Sequence, residues 1–155
     1  MNQQQEEAVW RRVLATQEQP CAGSESSLTP MQVMEQLQRK QQAACMYGIL
    51  ARRVKKSARG CLLRLMQMEQ QHSRRLEAVY YVMTGQRPCP DSPKLPCVAC
   101  TNEELRNCYM AKIAAAPGLC QLAEQAGSFA PVFRCIHRDE QHQLRVLLNL
   151  LEHCL

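Results

Sequence analysis

The sequence predicts an all-α protein, a four-helix bundle with a short additional N-terminal helix. Three observations lead there. Leu, Ala, Gln, Glu, Arg and Met are abundant and runs of Val, Ile and Phe are scarce, which favours helix over sheet. Apolar residues recur at three- and four-residue spacing through long stretches. A weak internal repeat, Lys40-x-x-Ala43-x-x-x-Tyr47-x-x-Leu50-Ala51 against Lys112-x-x-Ala115-x-x-x-Leu119-x-x-Leu122-Ala123, makes the chain read as helix pair, connection, helix pair.

Residues 5–15 predict a short amphipathic helix with Val9, Trp10, Val13 and Leu14 on one face. Pro20, Gly23 and a serine-rich run make 16–28 a loop, so 1–28 form an N-terminal helix and loop ahead of a bundle over 29–155. Thr29-Pro30 pairs a capping hydroxyl with a proline suited to the first helical position. The first bundle helix is then expected to run to about Lys56, with Val33, Leu37, Ala44, Tyr47, Leu50 and Val54 inward. Its last turn would carry Arg52, Arg53, Lys55 and Lys56, cations that suit the negative end of the helix dipole. The second helix covers about 58–84 and stops at Gly85, completing a pair over 29–85.

Four prolines and three cysteines make 86–100 a connection. The second pair fills 101–155. Its first helix starts near Thr101, with Thr101 or Asn102 as cap and Glu103 and Glu104 in the first turn, and ends before Gly127. Pro117-Gly118 is expected to kink or break it. The last helix starts at Ala130-Pro131 and runs almost to Leu155.

The chemistry-bearing motifs are Glu69-Gln70-Gln71-His72 and Asp139-Glu140-Gln141-His142. In each, a carboxylate and an imidazole stand three residues apart, on one helical face. The first pair lies in the stripe Leu62, Leu65, Glu69, His72, Leu76, Val79, Met83. The second is assigned to the stripe Val132, Ile136, Asp139, His142, Val146, Leu150. Burying such groups without partners is costly, so two pairs suggest a site shared by two helices in the core.

With these motifs, the segment Tyr80-Tyr81-Val82-Met83-Thr84-Gly85 and the opening Val9-Trp10-Arg11-Arg12-Val13, nearly the whole chain resembles the ferritin-like, rubrerythrin-related family of small bacterial proteins. The resemblance implies a core di-iron site. In such sites two helices each supply one Glu and two supply Glu-x-x-His. Here Glu69 and Asp139 would bridge the irons, and His72 and His142 would be terminal ligands.

The positions of the two remaining carboxylates, seven residues before Tyr47 and Leu119, hold Lys40 and Lys112. Four carboxylates balance two divalent irons; Glu69 and Asp139 against Lys40 and Lys112 balance with no metal. The expectation is therefore a ferritin-like protein without a di-iron centre or cofactor, serving a structural, sensing or interaction role rather than an enzymatic one. The alternative is an iron-binding oxidoreductase acting on peroxide or oxygen. Glu35, Glu103 and Glu104 are possible substitute ligands, but their spacing places them off the face or at the wrong height.

Ten cysteines accompany an N-terminus without an apolar signal region, and no apolar run is long enough to span a membrane. Reduced thiols in a cytoplasm are expected. Cys45, Cys61, Cys108, Cys120 and Cys135 sit at core spacing. Cys97-Val98-Ala99-Cys100 with Cys89 offers a possible second metal site, for zinc or iron, or a redox pair, with Cys108 or Cys21 as a fourth ligand. The net charge of +5 permits an anionic partner without requiring one. The basic run Arg52, Arg53, Lys55, Lys56, Arg59, Arg64 has no interleaved aromatics, so it reads as a solvated helix end and nucleic acid is not expected. Helical faces leave a homodimer open.

Overall fold

A computed structural model describes residues 26–95 and 97–153. The expected helix over 5–15 and Cys21 lie outside these residues. The described residues are all helical apart from turns and one connection, with no strand. Helix α1 is Pro30–Ala51, α2 is Lys56–Thr84, α3 is Thr101–Gln125 and α4 is Ala130–His153, with a 3-10 turn at Gly127–Phe129 leading into α4.

Local chemistry sets the boundaries. Thr29 caps α1 in a reciprocal box: its hydroxyl accepts from the Gln32 N–H, and the Gln32 side chain accepts from the Thr29 N–H at 2.9 Å. The helix ends earlier than the sequence suggested, and no basic residue lies in its last turn. The chain leaves the helix through a turn at 52–54, in which Val54 stays buried and its N–H still reaches the Leu50 carbonyl at 3.2 Å. Arg59 reaches back and donates to the Ala51 carbonyl at 3.0 Å, satisfying one of the helix's free carbonyls from outside it. Gly85, at φ 70°, ends α2 in the left-handed conformation that a Cβ disfavours. Cys100, not Thr101 or Asn102, is the N-cap of α3. The helix also passes Pro117 without a break. Pro117 and Gly118 are exposed, so the carbonyl that the proline leaves without a donor can face solvent.

The short turn after α1 makes α1 and α2 one hairpin, and the 3-10 turn makes α3 and α4 another. Each hairpin packs closely within itself. Between them α2 meets α4 more closely than α1 meets α3. Two apolar clusters fill the interior. One holds Val33, Leu37, Leu76, Phe133 and Ile136; the other holds Tyr47, Leu50, Leu62, Leu65, Leu105 and Leu147. Lys40, Glu69, His72, Ser73, Lys112, Glu140 and Gln143 are also buried. Their places along the helices put them between the two clusters, so the core is apolar, then charged, then apolar again.

Candidate functional site

Each helix contributes to the charged layer. Lys40 comes from α1, Glu69 and His72 from α2, Lys112 from α3, and Glu140 and Gln143 from α4. The repeat explains the lysines. Lys40 shares the inward face with Leu37, Ala44 and Tyr47, and Lys112 with Leu105 and Leu119, so helical periodicity carries both ammoniums inward.

The second motif is corrected by one residue. Glu140 and Gln143 are buried, whereas the Asp139 side chain is 30% exposed and His142 is exposed. The buried stripe of α4 is Phe133, Ile136, Glu140, Gln143, Leu147, Leu150. It alternates three- and four-residue steps without a flaw, and that regularity sets the helix's rotation. The stripe through Asp139 and His142 takes two successive steps of three and would drift around the helix. Spacing carried the right signal: Glu69 follows Lys40 by 29 residues, Glu140 follows Lys112 by 28, and Asp139 follows it by 27.

The charges meet directly. Lys112 Nζ donates to Glu69 Oε1 at 2.6 Å and to Glu140 Oε1 at 3.1 Å. Lys40 Nζ donates to the same Glu140 oxygen. Lys112 also lies 5.9 Å from the centroid of the Tyr47 ring. On the α2–α4 side, His72 Nδ1 is 3.3 Å from Glu69 Oε2 and Nε2 is 3.0 Å from Asp139 Oδ2. A neutral imidazole has one N–H and can donate to one of these carboxylates; donating to both requires the imidazolium. Asp139 therefore joins the layer at its edge, where Arg75 Nη1 stands 3.7 Å away. Glu35 and Glu103 are exposed and Glu104 is half-buried at the rim of a cleft, so none replaces the lysines in the layer.

Burial by itself would raise the Glu69 carboxyl; the His72 hydrogen bond and the Lys112 and Lys40 ammoniums overcome this and hold it at about 2. Burial would lower Lys112, but Glu69 and Glu140 more than compensate, and it stays above its ordinary 10.5. Burial first, then Glu69, raises the Tyr47 phenol well above 10.0. A carboxylate lowered by folding stabilises above its unfolded value, and that stability fades as pH falls from about 4.5 toward about 2. A lysine or tyrosine raised by folding stabilises below its unfolded value, and that stability fades as pH rises past it. Cys108, whose thiol burial raises from 9.0 to about 11, follows the same rule, so the expected profile of unfolding free energy against pH is a plateau between about 4.5 and about 9 with losses on both sides. Urea titrations across pH would show it. A stability maximum inside a narrow acidic window would contradict the pairing.

Gln143 stands three residues after Glu140, where an imidazole would follow a carboxylate in a Glu-x-x-His pair. It is fully buried, and neither side-chain polar atom has a partner among the described residues. An unmatched buried carboxamide costs about 1–3 kcal/mol. Gln143→Met, similar in volume and without those groups, is expected to raise the unfolding free energy by about 1 kcal/mol or more. A loss of stability in urea unfolding would mean that the amide is satisfied in solution.

Glu69, His72 and Glu140 offer ligating atoms within 4.8 Å of one another, the only such three-residue group among the described residues. Cys89, Cys97 and Cys100 are exposed free thiols outside that group, so they are not gathered as a second metal site. The expected core cysteines are not fully buried: Cys120 is exposed, and Cys45, Cys61, Cys108 and Cys135 are half-buried. Burial, then Glu104, pushes the Cys108 thiol up to about 11. No helix among the described residues is long and apolar enough to cross a membrane.

A cleft of about 890 Å³ opens between α1 and α3, which meet less closely than α2 and α4 do. Residues 91–94 of the connection form one side of it, and its floor is Lys40, Lys112, Glu69 and Glu140. No protein-family model, curated protein or solved structure matches the chain.

Proposed function

We propose that the chain is a ferritin-like bundle of the rubrerythrin-related kind in which an ion-pair layer stands where a di-iron centre would be. Its role on this reading is structural, sensing or interaction rather than iron-dependent oxidation. The observation that carries it is the placement of the Lys40 and Lys112 ammoniums on the Glu69 and Glu140 carboxylates. An ammonium is a compact charge with three donors and can take the place of a cation among carboxylates.

The donor set does not fit a pair of irons. Of the ligands such a centre uses, two carboxylates and one imidazole are in place. Lysines hold the two other carboxylate positions, and Gln143 holds that of the second imidazole. Two ammoniums also repel a metal ion directly.

A second reading rests on the Glu69, His72 and Glu140 group, which offers a single metal three ligands. It requires the lysines to release their carboxylates. Metal content of protein purified from iron- and zinc-supplied anaerobic culture separates the two. Metal-free protein is expected. One bound ion per chain that disappears in His72→Ala would favour the second reading, and two irons per chain would overturn the ion-pair reading.

A further inference from the structure

We infer that the cleft between α1 and α3 is a binding site for a small uncharged molecule with an apolar body and one carbonyl-type oxygen, seated on the Lys40 and Lys112 ammoniums. The inference rests on the reading of the layer as an ion-pair cluster. A volume of about 890 Å³ is in the range of small-molecule sites. Ala43, Met46, Ala111, Ala115 and Leu119 supply apolar wall, and below it Lys40, Lys112, Glu69 and Glu140 form a charged floor.

Those polar groups have unused donors. Each ammonium carries three N–H bonds. Among the described residues Lys40 makes one hydrogen bond and Lys112 makes two, which leaves two donors on the first and one on the second. Both side chains line the cleft while only 7% and 8% exposed, so bulk water does not surround these donors. Gln36 lines the same cleft, is 9% exposed and makes no side-chain hydrogen bond among the described residues. A ligand oxygen entering here gains charge-assisted hydrogen bonds at a desolvated site.

Charge decides the class. On the floor, Lys40 and Lys112 balance Glu69 and Glu140, so an anion would bring an uncompensated charge into a buried place. At the rim, Glu35, Asp91 and Glu104 outnumber Arg39 and Lys94, which opposes an anion again. A cation would meet the ammoniums. A neutral acceptor avoids both costs. Lys112, hydrogen-bonded to both Glu69 and Glu140, meets the carbonyl as an ammonium donor and not as a nucleophile.

Three probes of one shape test this: acetophenone, benzoate and ethylbenzene. Each is titrated into ¹⁵N-labelled full-length protein while the amide shifts of Ala43, Ala111 and Ala115 are followed. Acetophenone is expected to bind about tenfold tighter than either of the others. Ala115→Leu, which narrows the cleft without touching a charge, is expected to weaken it about tenfold, and Gln36→Leu to weaken it several-fold. Tighter binding of benzoate would overturn the charge argument. Equal binding of ethylbenzene would overturn the role of the ammonium donors. No shift with any probe would overturn the site. Metal analysis of the same sample keeps the two conclusions apart: bound iron removes the ion-pair reading, whereas metal-free protein that ignores acetophenone removes only the ligand.

Discussion

Lys112→Met is expected to destabilise the protein by about 3–5 kcal/mol, because the two carboxylates it serves stay buried after it is gone. Lys112 touches both Glu69 and Glu140, and both are almost wholly excluded from solvent. The pair's net contribution to folding is small, since taking the ions out of water offsets most of their attraction. Removing one partner is different: it leaves the desolvation cost of the others without its compensation. For a domain of this size that loss corresponds to a fall in Tm of about 10 °C. Lys40→Met should cost less. Glu140, its one partner, would still be paired with Lys112. Thermal and urea unfolding of the two variants checks both the size and the order. A Tm change below about 2 °C for Lys112→Met would mean that the ammonium does not hold those carboxylates in solution.

The largest gain of function is expected from Lys40→Glu combined with Lys112→Glu. Four carboxylates and His72 would then face one another in the core. Without a cation, mutual repulsion and desolvation should leave the chain largely unfolded. A divalent metal ion neutralises the cluster and binds only the folded form, so it should restore the fold. At a concentration a thousandfold above Kd, the stabilisation is about 4 kcal/mol. The unchanged protein, with its ammoniums in place, should show no comparable shift in Tm on addition of Fe²⁺, Mn²⁺ or Zn²⁺. Circular dichroism with and without each metal measures this directly. A double variant that stays unfolded at every metal concentration would count against the four helices contributing to one centre in this register.

Much of the fold was readable because several local signals agreed. Thr29 and Pro30 marked the start of α1, Gly85 marked the end of α2, and the repeat placed Lys40 and Lys112 on equivalent inward faces. Each signal has a local cause: a capping hydroxyl, a left-handed turn, a helical period. What misled was chemistry taken ahead of geometry. Asp139 and His142 look like a second carboxylate–imidazole pair, and that likeness outweighed the even spacing of Phe133, Ile136, Leu147 and Leu150. Burial follows spacing, so the rotation of α4 was set by its apolar residues, and Glu140 went inward with them. The end of α1 was missed for a related reason. The basic run resembles a charged last turn, and Val54 keeps the inward spacing of Tyr47 and Leu50, so the periodicity runs on through a turn that is no longer helix. The cleft was out of reach of any local signal, because it depends on how far apart two hairpins settle.

The position of the charged layer midway along the core has a mechanical consequence. Purely apolar helices can slide along one another by a turn, about 5.4 Å, and exchange one leucine contact for another at small cost. Here such a slip would carry Lys112 away from Glu69 and bring an ammonium against the leucines of either cluster. The layer therefore acts as a detent: it adds little to the depth of the folded state and makes every neighbouring alignment of the two hairpins expensive. The protein's axial alignment is indexed by four charges, while its cohesion comes from the apolar clusters above and below them.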